Sequence, residues 1–207
     1  MKLRWIYSGE LTPENLAETF NGIDGMLVAP GFGDRGIEGK ILAAKYAREN
    51  NIPLLGICLG MQIMTIEFAR NVLGLKDANS SEFDLTTKNP VISIMEEQKN
   101  IVEKGGTMRL GAWKCQLKPN TKLSEIYGNR NISERHRHRY EFNSDYLEGF
   151  EKNSFVASGI NPDTKLVETI ELKKHPFYIG VQYHPEYKST VAKPHPLFLA
   201  LIKAASK

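Results

Sequence analysis

Residues 54–62 read LLGICLGMQ, and the fold turns on how the cysteine inside them is understood. Leu54 to Ile57 form a short apolar run. From Leu59 the run LGMQIMTIEFARNVLG keeps apolar residues at helical spacing, with Gly74 suited to a C-cap. A strand therefore runs straight into a helix, and Cys58 sits at the junction between Gly56 and Gly60. One reading makes Cys58 a small buried hydrophobe, since free cysteine is among the most buried residue types. The other makes it a nucleophile on a tight turn, where small neighbours let the chain bend sharply and expose the central side chain.

The same alternation extends upstream. Leu3 to Tyr7 reads as a strand, and TPEN then gives Thr12 as N-cap, Pro13 at N1 and Glu14 in the first turn of a helix reaching about Phe20. Gly25 to Ala29 is a continuous apolar run ending in PGFGDRG, which reads as a strand buried on both faces followed by a glycine-rich loop. Glu38 to Asn50 places Ile41, Leu42, Ala44, Tyr46 and Ala47 at helical spacing. Strand, helix, strand, helix predicts an α/β domain, an open, mostly parallel sheet with helices on both faces.

Downstream the pattern is β-rich. Strands are predicted over Val91–Ile94, Met108–Leu117, Ile132–Phe142, Lys165–Leu172 and Phe177–Tyr183, and HPLFLALIKAAS reads as a closing helix. No linker divides the halves, so residues 1–207 form one domain with an added β-rich region. The net charge of +3 with 25% charged residues is too mild to imply a nucleic-acid or membrane partner. No apolar run reaches the length of about eighteen residues that spans a bilayer, and MKLRWIYSGE lacks the apolar core of a signal peptide. Cys58 and Cys115 make no disulfide framework, which predicts a cytoplasmic protein with reduced thiols.

In open parallel sheets functional residues gather at the carboxyl ends of the strands. LVAPGFG, LLGIC and YIGVQYHPE would all end there. At a helix N-terminus the dipole and free N–H groups favour the thiolate of Cys58. His184 and Glu186 lie two apart, so in extended chain they share a face and the carboxylate orients the imidazole. Cysteine, histidine and acid give the nucleophile, base and orienter of covalent catalysis, whereas HPE alone is usually a surface turn. In ERHRHRYE (134–141) alternation puts Arg135, Arg137 and Arg139 on one face, suited to a carboxylate or phosphate, and His136 and His138 on the other. The competing readings of this segment are a solvated basic strand or a nucleic-acid patch. Zinc spacing is absent, so no metal site is expected.

GICLGMQ with a distant HPE resembles the class I, triad-type glutamine amidotransferases. GFGDRGIEGKILAAKYARENNIPLLGICLGMQ, IEFARNVLGLKDANSSEF, GGTMRLG, ERHRHRYEFN and HPLF narrow the resemblance to the glutaminase domains of the CTP synthase family, in order and over nearly the whole chain. The resemblance implies a flavodoxin-like fold and hydrolysis of L-glutamine to glutamate and ammonia. The ammonia passes to an amidoligase (synthase) domain that uses ATP and Mg2+ to aminate UTP to CTP, with GTP as allosteric activator, in enzymes that are homotetramers. It further implies Cys58 as nucleophile, His184 as base and acid, and Glu186 as orienter. Gly31 and Leu59 supply the oxyanion hole, and Gln62, Glu82 and Arg139 bind glutamine, Arg139 at the α-carboxylate and Glu82 at the α-ammonium. Phe32, Leu110 and Arg137 fall in segments used near the GTP activator site. No cofactor is implied for this domain itself.

Three departures stand out. The loop reads APGFG (29–33) where the family often has P-G-G-F-G; Pro30 has no N–H, so the oxyanion donor must come from Gly31. The segment between Pro90 and Gly105 is short, which puts an activator contact there in question. No G-x-x-x-x-G-K-[ST] loop is present, so the ATP-dependent step lies outside this chain. The family's domain also opens with one further strand and helix, so the chain reads as amino-terminally truncated. The rival readings are the glutaminase of another amidotransferase such as GMP synthetase, another cysteine hydrolase with a strand–helix cysteine, and an inactive regulatory remnant.

Overall fold

The computed structural model describes residues 1–94 and 108–206. A short helix α1 (Leu16–Thr19) precedes β1 (Met26–Val28), α2 (Ile37–Glu49), β2 (Leu54–Ile57) and α3 (Leu59–Asn71). Next come β3 (Asn79–Ser80), β4 (Pro90–Ile94), β5 (Arg109–Leu117), α4 (Lys122–Tyr127), β6 (Asn131–His138) and β7 (Tyr140–Phe142). Then follow α5 (Leu147–Lys152), β8 (Phe155–Ile160), β9 (Val167–Leu172), β10 (Tyr178–Val181) and α6 (Pro196–Ala205).

The main sheet has the order β1-β2-β10-β9-β8-β5-β6, and β3-β4-β7 form a small second sheet. The α/β expectation holds. Strands β1, β2 and β10 run parallel, and this is the half that carries the candidate site. The β-rich region continues the same sheet through antiparallel pairs.

Alternation along the central strands sends neighbouring residues into two cores. Leu54 and Tyr178 pack with α2, α3 and α5 on one face. Leu55, Ile57, Ile179 and Val181 pack with Cys115 and with residues of α4 and α6 on the other. This double burial explains why β2 reads as an unbroken apolar run, each side chain contributing about 1.5–3 kcal/mol.

Several expectations are corrected. Leu3–Tyr7 is not a strand; Leu3 and Trp5 are exposed and only Ile6 packs against the core. Thr12 does not cap a helix: the Asn15 side chain accepts its N–H at 2.9 Å, which closes a turn, and helix begins only at Leu16. The run 25–29 is not buried on both faces, because β1 is an edge strand and Leu27 is 44% exposed. The predicted strand 132–142 breaks at Arg139, sending β6 to the large sheet and β7 to the small one. The short segment noted between Pro90 and Gly105 falls largely outside the described residues.

Candidate active site

Strands β2 and β10 are parallel neighbours with Ile57 opposite Val181. Both chains therefore leave the sheet at the same edge. Cys58 is the next residue, and its N–H donates to Val181 O at 2.7 Å. Its backbone sits at φ +52, ψ −104, a conformation that non-glycine residues rarely adopt and that costs of order 1–3 kcal/mol. The flanking glycines permit it. A Cβ on Gly60 would lie 2.3 Å from Val28 O, and one on Gly56 would lie 2.7 Å from the Gly60 carbonyl. The start of α3 is thus pressed onto β1 and β2 backbone to backbone. The thiol is only 2% exposed, yet it lines a cleft. Cys58 is a strained elbow, and Cys115 is the buried structural thiol, packed in the core beneath α4 and α6.

His184 lies three residues beyond β10. Its N–H donates to Arg135 O at 2.8 Å, which ties this loop to β6. His184 Nδ1 lies 2.6 Å from Glu186 Oε1. A carboxylate accepts, so Nδ1 carries the proton, and in the neutral ring Nε2 is the acceptor. That Nε2 is buried and has no hydrogen-bond partner among the described residues. The pair forms for a different reason than extended alternation: Pro185–Lys188 is a 3-10 turn with Pro185 at its start, and the turn carries Glu186 back to the ring. Tyr187 stacks on His184 at 4.9 Å between centroids, and Lys188 Nζ donates to Ser133 O at 2.6 Å.

The cleft beside Cys58 has a volume of about 300 Å3. Gly31, Phe32, Gln62, Glu82, Arg137 and Arg139 line it with Cys58. Leu59 is not in the lining, but its N–H faces the Cys58 sulfur. Leu110 also stays outside the lining; it is paired with Arg137 across β5 and β6 and is exposed. The Arg137 guanidinium lies 5.9 Å from the Phe32 ring centre, so these three residues form one rim. Met108, His138 and Tyr140 line the cleft too and were missed. They lie in or beside the motifs GGTMRLG and ERHRHRYE, and the signal was their proximity to residues already chosen.

Electrostatics at the sulfur correct one expectation. Burial, reinforced by the carboxylates of Glu186, Glu141 and Glu82, pushes the Cys58 thiol up to about 12. The Leu59 N–H at the helix start pulls the other way, but burial wins and the resting group is the thiol. Burial also raises Glu82, while the Gly33 N–H at 3.3 Å and the Arg139 charge oppose it. Glu82 and Arg139 thus face one cleft as unlike charges.

Behind the cleft lies an ionic cluster that the sequence did not reveal. Arg109 is buried against Glu168 in a forked pair and reaches Glu141 at 3.3 Å. His136 Nδ1 and His138 Nε2 are hydrogen-bonded at 2.8 Å, and burial holds their values down at about 2 and about 3. The basic strand therefore divides as expected, its histidines turned inward and neutral. Among the described residues no group of three or more His, Cys, Asp or Glu side chains is placed to hold a metal ion.

A family model described as glutamine amidotransferase class-I matches residues 6–204. The chain belongs to the class I glutamine amidotransferases. Within that family it is 62% identical over 200 residues to the CTP synthase of Flavobacterium johnsoniae, covering 97% of this chain and 37% of that protein. It is 61% identical over 206 residues to the CTP synthase of Cytophaga hutchinsonii, covering 100% and 38%. It also superposes with a TM-score of 0.92 on the Trypanosoma brucei CTP synthase glutaminase domain with bound acivicin, at 38% identity, covering 99% of this chain and 80% of that one. This amidotransferase chain is therefore of the CTP synthase glutaminase type, which sets aside the rival families. It spans just over a third of the length of those two curated relatives. No helix among the described residues is long and apolar enough to cross a membrane.

Proposed function

We propose that this chain hydrolyses L-glutamine to L-glutamate and ammonia through a Cys58 thioester. The observation that carries this reading is a strained, cleft-lining cysteine on one strand end beside a His184–Glu186 pair that leaves the next. The substrate's α-carboxylate pairs with Arg139 and its α-ammonium with Glu82, a charge arrangement that fits an amino-acid zwitterion. Gln62 donates its amide hydrogens to Tyr140 O at 3.0 Å and Gln182 Oε1 at 3.3 Å, so it turns its remaining acceptor to the ligand.

The chemistry follows from the protonation states. His184 Nε2 takes the thiol proton as the sulfur attacks the carboxamide carbon of glutamine. The oxyanion is held by the N–H groups of Leu59 and Gly31. His184 returns the proton to the leaving nitrogen, which departs as ammonia. A water, deprotonated by His184, then attacks the thioester carbon; the C–S bond breaks, His184 returns the proton to the Cys58 sulfur, and glutamate leaves. The ammonium of bound substrate offsets Glu82, one of the carboxylates that raise the thiol, so substrate binding itself eases thiolate formation.

In the whole protein we propose that the ammonia serves amination of UTP to CTP by a fused synthase domain using ATP and Mg2+, in a tetramer activated by GTP. The support is the resemblance to CTP synthases together with the rim of Phe32, Leu110 and Arg137, where a guanidinium and exposed apolar side chains suit a nucleotide.

Acivicin tests the glutaminase reading. It should alkylate Cys58 and spare Cys115, as read by peptide mass mapping; labelling of Cys115 alone, or of neither, removes Cys58 as nucleophile. Arg139→Lys keeps the charge and loses the planar fork. A contact made equally in ground and transition states acts on KM, so KM for glutamine should rise by about tenfold with kcat little changed. An unaltered KM in steady-state kinetics would assign the α-carboxylate to another residue.

A further inference from the structure

Gln182 lies between the end of β10 and His184 and is fully buried. Its main chain is held by an N–H to Glu168 O at 2.8 Å. Its Nε2 lies 3.8 Å from Cys58 Sγ, within hydrogen-bond reach for the larger sulfur atom. Its Oε1 accepts from Gln62 Nε2 at 3.3 Å, and Gln62 Nε2 also donates to Tyr140 O at 3.0 Å.

The direction of this chain is set by one group that has no choice. A backbone carbonyl only accepts, so Gln62 must present its NH2 to Tyr140 O. The same NH2 then reaches Gln182, which must answer with its carbonyl oxygen. The Gln182 NH2 is therefore turned to the sulfur. Reversing either amide would set two donors or two acceptors against each other. We infer that Gln182 is a catalytic residue whose side-chain N–H donates to Cys58 Sγ and stabilises the negative charge that grows there. Gln62 is then a positioning residue as well as a ligand contact, because it holds the Gln182 amide in that orientation.

The need for such a donor is local. The sulfur is buried and faces the carboxylates of Glu186, Glu141 and Glu82, all of which oppose a thiolate. Against them stand the Leu59 N–H and the Gln182 amide. The chain also links the nucleophile to Tyr140, the residue after Arg139, so the segment that receives the substrate's carboxylate also orients the donor to the sulfur.

The inference rests on Cys58 being the nucleophile, and its test reads the sulfur directly, without glutamine, so its failure leaves the acivicin result standing. The second-order rate of Cys58 alkylation by iodoacetamide is measured against pH in the unaltered chain and in Gln182→Met, which keeps length and removes the donor. A hydrogen bond to a charged group supports a loss of about tenfold or more in the neutral-pH rate, with the whole profile displaced to higher pH. kcat for glutamine should fall in parallel and KM should hold. Thermal melts confirm the fold. Should Gln182→Met not fold, Gln182→Leu carries the test: it is smaller, is also without a donor at any pH, and must move the profile in the same direction. A profile superimposable on that of the unaltered chain, even with an altered KM, would overturn the assignment.

Discussion

Cys58→Ala is expected to reduce glutamine turnover by at least about 10^4-fold, the scale on which enzymes lose activity when a covalent nucleophile is deleted. Binding should survive. The substitution removes one sulfur atom and keeps Cβ, so the elbow at φ +52 and the glycine contacts around it are undisturbed. Glu82 and Arg139, proposed to hold the two ends of the zwitterion, touch the cleft from other segments, and Gln62 lines it one helical turn beyond Cys58. Calorimetric titration with glutamine should give an affinity within a few-fold of the unaltered chain while product formation disappears. Cys58→Ser should be nearly as inactive, because a hydroxyl is far harder to deprotonate than a thiol in a site already crowded by carboxylates. Residual turnover within tenfold of normal in Cys58→Ala would place the chemistry elsewhere and leave the elbow without a purpose.

Much of this site was legible because its signals are short-range. Gly56, Cys58 and Gly60 are two apart, and His184 and Glu186 are two apart, so each half could be read from a few residues. Joining the halves needed only the rule that parallel strands end at one edge. What the sequence concealed was the balance of energies. A helix start argues for a thiolate, and the Leu59 N–H does act that way, but burial and three carboxylates from distant segments outweigh it. The Gln62–Gln182 relay joins residues 120 positions apart and leaves no pattern in either neighbourhood.

The fold was readable where burial imposes a pattern. Strands β2 and β10 lie between two cores and appear as apolar runs. Leu3–Tyr7 misled for the opposite reason: its apolar residues look like a strand, but Leu3 and Trp5 face solvent and no strand among the described residues pairs with them. Strand β8 was missed because FVASGI is small and without alternation. Its Gly159 fits so closely that a Cβ would lie 2.6 Å from Cys115 Sγ. Helix α4 did leave a signal, a capping box in which Thr121 and Ser124 exchange hydrogen bonds and Gly128 closes the end at φ +63. It is short, and a β-type reading of its surroundings hid it.

Arg109→Met is expected to lower stability by about 3–5 kcal/mol, because it strands buried carboxylates that now share one guanidinium. For a chain of this size that corresponds to a fall in melting temperature of about 6–20 °C. The loss should also depend on pH, with a sign that follows from the neighbours. Burial outweighs the opposing Arg109 charge at both carboxyls, leaving Glu141 raised to about 8 and Glu168 raised. Arg109 also helps hold His136 and His138 low. Without it, all these groups bind protons more tightly in the folded state, while the unfolded chain is unchanged. Stability falls with pH wherever the folded state binds more protons than the unfolded one. The deficit should therefore be smallest at the acid end, near pH 4.5, where these buried carboxyls are largely protonated with or without Arg109, and should widen as pH rises through about 8. Adding Glu141→Gln and Glu168→Gln to Arg109→Met removes the stranded charges and should recover a large part of the loss. Melting curves across this range decide the matter: a deficit equal at every pH, and no recovery in the triple variant, would show that Arg109 stabilises the fold by packing alone and that the cluster behind the cleft is not held by charge.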